Sequence, residues 1–291
     1  MHKSGFVSII GAPNAGKSTL MNALVGERLS IITPKAQTTR HKIIGIVNGE
    51  DYQIVFTDTP GIIAPSYTLH DAMMKAVDQG IDEADLVLFV VTVEDETPDS
   101  AVAAKLNKVK SPLVVLLNKI DLSTQEDVML KLKAWQEQFP KAQLLPVSAL
   151  NKFNLDGVKQ IILSHLPESP PYFDKDQLTD KSQRFFAAEI IREKIFLYYK
   201  KEIPYSTQVE IYSFKEEEKL ITIDAYIYVL RETQKKIVIG NNAVAIKSAA
   251  TAARIGLENF FQKKVMLKTL VKVKENWRDS SNHVKNFGYD L

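Results

Sequence analysis

The stretch Gly11-Ala12-Pro13-Asn14-Ala15-Gly16-Lys17-Ser18 decides how the first half of this chain must fold. It fits the pattern G-x-x-x-x-G-K-[ST], in which glycine-rich backbone curls its N–H groups around phosphate oxygens. The pattern assigns Lys17 to the β and γ phosphates and the Ser18 hydroxyl to Mg2+. A β-rich apolar run at 6–10 enters the loop and a helical segment leaves it, its positive end aimed at the anion. Gly11 to Ser18 and the adjoining Thr19 are therefore the expected phosphate-binding residues. By itself this loop leaves adenine and guanine both open.

Three further short motifs follow in order, each at the carboxyl end of an expected strand, where open α/β sheets bind ligands. Asp58-Thr59-Pro60-Gly61 ends the run 53–57. There Asp58 can hold Mg2+ through water and the Gly61 N–H can meet a γ-phosphate. Asn118-Lys119-Ile120-Asp121 follows the run 113–117. The Asp121 carboxylate can accept from both the N1–H and the exocyclic amine of guanine. Adenine offers neither donor there, so the wrong base leaves a carboxylate unpaired. Val147-Ser148-Ala149 ends another run, where a backbone N–H can reach guanine O6. Together these motifs predict guanine-nucleotide binding and GTP hydrolysis. Lys17, Asp58 and Gly61 are the candidates for acting on the γ-phosphate.

Outward from the motifs, apolar runs at 6–10, 43–47, 53–57, 86–91, 113–117 and 143–147 alternate with helical patterns at 69–82, 100–109 and 125–139. Most runs lack a polar face, as strands buried on both sides do. The expected fold is α/β, a doubly wound, mostly parallel sheet. Asn48-Gly49-Glu50-Asp51 separates two runs so briefly that one strand must form an antiparallel hairpin. Residues 1–167 form the expected nucleotide domain. The proline-rich stretch beginning Leu166-Pro167-Glu168-Ser169-Pro170-Pro171 reads as a stiff linker over 168–181.

Residues 182–291 read as a smaller α+β domain. A long helix over 182–201 is expected to bury Phe185, Ala188, Ile191, Ile195 and Tyr198. Strands at 207–214 and 220–229, helices at 234–239 and 243–262, and a strand at 265–273 follow. The run Lys235-Lys236-Ile237-Val238-Ile239-Gly240-Asn241-Asn242-Ala243 resembles the I-G-x-x-G loop of a KH domain, which clamps single-stranded RNA. With the element order, this implies a type II KH domain. Lys235, Lys236, Ile239, Gly240, Asn241, Asn242, Ala243 and Lys247 are then the candidate RNA contacts. Ala243 stands where the second glycine is expected, which predicts weakened binding. Phe287 and Tyr289 read either as stacking residues or as anchors for the tail.

The bulk composition excludes other chemistries. The chain has no cysteine, so disulfides, thiolate nucleophiles and cysteine-bound zinc are ruled out. Its five histidines are scattered without metal-ligand spacing. A net charge of +2 says nothing for or against nucleic acid, so any basic face must come from arrangement. The N-terminal residues lack a signal-peptide pattern and no run is long enough for a membrane helix, which predicts a cytoplasmic protein.

In these residues the first half resembles the translation-factor-like GTPases that include the Era, MnmE and Der families. Gln37-Thr38-Thr39-Arg40-His41 matches their switch I motif. Spacing alone leaves Thr38 and Thr39 open as the sensor of γ-phosphate and Mg2+; the resemblance implies Thr39. Asn14 also resembles the asparagine with which some of these GTPases hold K+, the alternative reading being a cap of the loop. Over nearly its whole length the chain resembles the bacterial Era family, through the switch, the Lys-Lys-Ile-Val-Ile-Gly run and the ending Val271-Lys272-Val273-Lys274-Glu275-Asn276-Trp277-Arg278. That resemblance implies Mg2+ with GTP or GDP. Its implied partners are the 3′ end of 16S ribosomal RNA and the assembling 30S subunit, with loose peripheral membrane association. A monomer is expected. The alternative reading is a signalling GTPase whose degenerate KH-like domain docks protein or membrane partners. One further residue pair bears on rate: Ile62 and Ile63 follow Gly61, and neither side chain can orient an attacking water.

Overall fold

A computed structural model describes residues 1–96 and 100–291 and divides the chain into two compact units. The first comprises Met1–Ser30, Thr39–Ala64 and Met73–Asp180; the second comprises Ile31–Thr38, Pro65–Ala72 and Lys181–Leu291.

The first unit is the doubly wound sheet. Its elements run β1 (Lys3–Gly11), α1 (Lys17–Val25), β2 (Ile43–Asn48), β3 (Tyr52–Asp58), α2 (Thr68–Asp82, of which residues 68–72 group with the second unit), β4 (Leu86–Thr92), α3 (Ser100–Leu106), β5 (Leu113–Asn118), α4 (Gln125–Gln138), β6 (Gln143–Pro146) and α5 (Leu155–His165). The strand order is β2-β3-β1-β4-β5-β6, with β2 antiparallel to β3 and the remaining pairs parallel. All seven residues of β4 are buried, which is why its sequence shows no polar alternation. On one face of the sheet, Phe89 meets Trp135 and Phe139 edge-on at 5.8 Å each. Because β3 and β4 flank β1 on opposite sides, the chain changes direction across the sheet at the carboxyl end of β1. That crevice is where the phosphate-binding loop lies.

Of the stretch expected as a stiff linker over 168–181, residues 168–180 group with the first unit. The fully buried Gln53 clips the segment: its amide accepts from Tyr172 N (2.7 Å) and Phe173 N (3.0 Å) and donates to Phe173 O (2.8 Å). Further along, Ile46 N donates to Leu178 O at 2.8 Å and Thr179 Oγ1 to Ile44 O at 2.6 Å. The strap thus covers β2, which would otherwise present an unpaired edge. The linker reading missed this because the bonds are made to residues more than a hundred positions away.

The second unit contains α6 (Gln183–Tyr198), α7 (Ile203–Ser206), β7 (Gln208–Glu216), β8 (Leu220–Val229), α8 (Glu232–Ile239), α9 (Val244–Phe261), β9 (Lys264–Val273) and α10 (Ser281–Asn286). Its sheet order is β7-β8-β9, antiparallel then parallel. β8 alternates perfectly between half-buried and buried residues. Its inner set, Ile221, Ile223, Ala225, Ile227 and Val229, packs with Val238 of α8, Ala249, Ala253 and Leu257 of α9, and Ile191 and Ile195 of α6.

The single apolar stripe expected on α6 is corrected by the structure. Tyr198 is 51% exposed, while Tyr199 is buried and donates its hydroxyl to Val238 O at 2.7 Å. The charged residues Glu189, Arg192 and Glu193 are buried as well. Their burial has a physical reason: residues 31–38 pack on the polar side of the helix within the same unit. Arg192 is held by Glu189 and donates to Thr38 O, and Lys35 donates to Phe196 O and Tyr199 O at the helix end. The tail packs against α7 and the start of β7. Trp277 is fully buried and bonds Ser206 O at 2.9 Å, Phe287 packs on it, and Tyr289 OH bonds Gln208 at 3.0 Å. Phe287 and Tyr289 are thus tail anchors. No helix among the described residues is long and apolar enough to cross a membrane.

Candidate functional site

At the end of β1 the backbone adopts conformations that only glycine takes without strain. Gly11 has φ 150° and Gly16 φ 96°. A Cβ on Gly11 would lie 2.2 Å from Val90 O, and one on Gly16 would lie 2.3 Å from Asn118 Nδ2. Between them the exposed Asn14 has φ 64°, a left-handed value that asparagine tolerates well. Lys17 begins α1 and is buried. Its ammonium donates to Ala12 O at 2.9 Å and Gly11 O at 3.2 Å, which holds it across the loop. Burial pushes its pKa down to about 8, with the Asp58 and Asp95 carboxylates opposing that shift. Thr19 follows on α1, half-buried.

The next turn of α1 meets the ends of two other segments. Ser18 Oγ donates to Asp58 Oδ2 at 2.7 Å and lies 2.8 Å from Thr39 Oγ1. The adjacent Thr38 hydroxyl is engaged elsewhere, donating to Lys35 O at 2.6 Å and lying 2.6 Å from Thr33 Oγ1. Asp58 is completely buried. Desolvation raises its pKa, against the Ser18 hydrogen bond and the Lys17 charge. Its Oδ1 is buried without a well-formed hydrogen bond. Two hydroxyls around a dry, under-satisfied carboxylate are the donor set a hard divalent cation takes, so these residues fit Mg2+.

From Asp58 the chain turns under the loop. Thr59 Oγ1 donates to Ile9 O at 2.9 Å and Ile62 N to Gly11 O at 3.0 Å, with Pro60 between. Gly61 passes so close that a Cβ there would lie 2.8 Å from Pro13 N. The Gly61 position therefore requires glycine for space. Ile62 packs against the apolar core, so no polar side chain follows Gly61 toward the loop.

The base end of the site is braced by one side chain. Asn118 Nδ2 donates to Ala15 O at 2.8 Å, and its Oδ1 accepts from Ala149 N at 3.0 Å. It thus ties the phosphate loop to the Val147-Ser148-Ala149 turn. Lys119 has φ 60°, and Ser148 Oγ donates to Asp121 Oδ1 at 2.5 Å, which aims an exposed carboxylate. The contribution of Asn22 was not legible beforehand. Its amide holds the loop after α1 through Leu29 N (3.0 Å), Ser30 N (2.9 Å) and Ser30 O (2.8 Å). An isolated asparagine on a helix carries no pattern that would flag this.

In the second unit the α8–α9 loop turns at Gly240 (φ 71°, ψ 173°), where a Cβ would lie 2.7 Å from Ala245 Cβ. Asn241 and Asn242 are exposed, and Asn242 (φ 51°) and Ala243 (φ 59°) are both left-handed. Lys236 and Lys247 are exposed on either side, and Lys235 lies 3.8 Å from Glu232. Of the expected contacts, Ile239 is instead partly buried against the core. The apolar groups open to solvent beside the loop are Ile237 (57% exposed) and Val244 (62%), which the motif reading did not single out.

Comparison with known proteins places this geometry. Residues 6–119 match the family described as 50S ribosome-binding GTPase, and residues 202–278 match the KH domain family. The GTPase Era of Clostridium kluyveri is 41% identical over 292 residues, covering 99% of this chain and all of that protein. A chloroplastic GTPase ERA-like protein of Oryza sativa subsp. japonica is 43% identical, covering 99% of this chain and 70% of its own length. A crystal structure of Era in complex with MgGDPNP and nucleotides 1506–1542 of 16S ribosomal RNA superposes with TM-score 0.95 at 36% identity, covering all of both chains. A variant of Aquifex aeolicus Era bound to GDP.AlF4- superposes with TM-score 0.94 at 37% identity, covering 99% of this chain and all of that one. On full-length similarity at this level, with a guanine-nucleotide site in one unit and a KH fold in the other, the chain belongs to the Era family of GTPases.

Proposed function

We propose that this chain binds the 3′ end of 16S ribosomal RNA through its KH unit and acts in the cytoplasm as a GTP-dependent switch in assembly of the 30S subunit. The observation that carries this reading is the full-length match, at TM-score 0.95, to Era holding both MgGDPNP and 16S nucleotides 1506–1542.

The residues divide the work of hydrolysis. The loop from Gly11 to Ser18 directs backbone N–H groups at the phosphates, and Lys17 supplies a cation whose burial strengthens its field. Ser18, Thr39 and Asp58 would hold Mg2+, which when bound neutralises charge developing between the β and γ phosphates. Gly61 offers its N–H to the γ-phosphate. Asp121, aimed by Ser148, selects guanine, while Asn118 holds the two ends of the nucleotide pocket in register. With Ile62 and Ile63 where a water-orienting side chain would stand, intrinsic turnover is slow. The exposed, left-handed Asn14 is the residue in this site suited to recruit K+ to the phosphates.

The switch follows from covalent adjacency. Thr39, beside Ser18, is one peptide bond from Thr38, whose carbonyl accepts from the buried Arg192 of α6. A change at the γ-phosphate that moves Thr39 must move Thr38 or break a charge-assisted bond in the second unit. A nucleotide shifts that balance only by its difference in affinity for the two arrangements.

The test is binding of single-stranded RNA carrying the 16S 3′ end, at fixed salt, with GTP analogue or GDP and a scrambled RNA as control. Selective binding that depends on the nucleotide is expected. Affinity equal to the scrambled control would overturn the RNA assignment; selective binding indifferent to nucleotide would overturn the switch alone.

A further inference from the structure

Helices α6, α8 and α9 pack on one face of the second unit's sheet. The opposite face is aromatic and basic. Tyr212 of β7 is 64% exposed, and its ring centroid lies 5.0 Å from that of Tyr226 on β8. Tyr226 lies 6.1 Å from Tyr228, and Tyr228 5.4 Å from Phe287 of the tail. Four rings therefore run in a continuous row across the sheet. Lys272 Nζ sits 3.2 Å above the Tyr226 centroid, and Lys274 Nζ lies 4.6 Å from the Phe287 centroid and 5.3 Å from that of Tyr228. In the β8–β9 register Leu270 pairs with Tyr226 and Lys268 with Asp224, so exposed Leu270 and Lys268 extend the same face. Its carboxylates are few: Glu210 is bonded by Tyr228 OH at 2.8 Å, and Asp224 is paired in register with Lys268.

Tyr212 is exposed and Tyr226 and Tyr228 are half-buried on this face, away from the apolar core on the other side, while Phe287 at the end of the row also packs on Trp277. The row's chemistry narrows the occupant. Protein-docking patches are depleted in lysine at their centres. Here lysines lie on the rings themselves. Exposed rings that accept bases by stacking, with cations beside them for the phosphates, are instead the make-up of a single-strand binding platform.

We propose that this face is a second nucleic-acid site, distinct from the α8–α9 loop, at which unpaired bases of RNA stack on Tyr212, Tyr226 and Tyr228 while Lys268, Lys272 and Lys274 take the phosphates. Lys272 leaves the Tyr226 ring as a base takes its place, exchanging one cation contact for another. The inference rests on the reading of this unit as an RNA binder. It implies that one RNA can be gripped on both sides of the sheet.

The test is fluorescence anisotropy of a labelled 12-nucleotide oligouridine and of a duplex of equal length, measured on the full chain. Tyr226→Ala and Tyr212→Ala should each weaken oligouridine binding by about tenfold, the scale of one lost base stack. Tyr226→Phe keeps the ring and should bind as the parent does, and the duplex should be indifferent to all three. The same series is repeated with Lys236→Glu and Lys247→Glu, which disable the loop. If those two changes abolish nothing, the loop reading fails while the sheet effect still stands or falls alone. Parental oligouridine affinity in Tyr226→Ala and Tyr212→Ala, at unchanged melting temperature, would overturn the proposal. So would unchanged RNA affinity accompanied by a lost ribosomal-protein contact, which would mark the face as a protein dock.

Discussion

Ala243 sits at φ 59°, ψ 21°, a left-handed conformation, at the position where a KH loop carries its second glycine. For a residue with a Cβ that conformation costs about 1–2 kcal/mol, through contact with the following carbonyl. Replacing it by glycine removes the cost but frees the unfolded chain, which returns about 0.4–1 kcal/mol. Ala243→Gly should therefore stabilise the second unit by about 0.5–1 kcal/mol. The unit contains one tryptophan, the fully buried Trp277, and the other, Trp135, lies in the first unit. Urea unfolding followed by Trp277 fluorescence in a Trp135→Phe background reports the second unit alone. With a slope of about 1–2 kcal/mol per molar, the midpoint should rise by about half a molar. The same change removes a methyl group from the surface offered to phosphates, so single-stranded RNA affinity should rise at fixed salt. The two readouts test different things, strain and stand-off. A midpoint that falls would mean that residue 243 does not hold a left-handed backbone, and the account of the loop would fail with it.

Asp121→Asn turns an acceptor partly into a donor, so preference should move from guanosine to xanthosine nucleotides with at least about a hundredfold loss for GTP; unchanged GTP affinity in competition binding would remove the base assignment. Thr39→Ala should lose Mg2+-dependent affinity for a GTP analogue while sparing GDP, whereas Thr38→Ala, whose hydroxyl bonds Thr33 and Lys35, should change affinity little. The reverse order would exchange their roles. If Asn14 recruits K+, turnover should be faster in potassium than in sodium buffers and Asn14→Ala should abolish the difference; equal turnover in both salts ends that idea.

What was readable in the sequence was the chemistry done by backbone. Gly11, Gly16 and Gly61 each stand where a Cβ would strike a neighbour within 3 Å, and each belongs to a short motif with fixed spacing. Such positions tolerate one residue type, so they leave a visible pattern. The alternation of strands and helices was readable for a related reason, since burial on both faces removes the polar half of a strand. The braces were not readable. Gln53, Asn22 and Arg192 act through bonds to atoms 7 to 154 residues away, with no local spacing that announces them. The stripe expected on α6 failed for that reason. Glu189, Arg192 and Glu193 look like a solvated face until residues 31–38 are packed on them.

Thr38 and Thr39 show where sequence reasoning reaches its limit. Two identical side chains in succession leave the backbone in different directions, so chemistry cannot tell them apart but geometry must. One hydroxyl lies 2.8 Å from Ser18 in the first unit; the other is turned to Thr33 and Lys35 in the second. The division between the units falls at the bond between them. A pair placed there does something one threonine would not. In the proposed switch, a response of Thr39 to the phosphates would pull on a neighbour fixed by its own hydroxyl and by Arg192, so the segment would have to keep those bonds or break them together, which is the all-or-none property a switch requires.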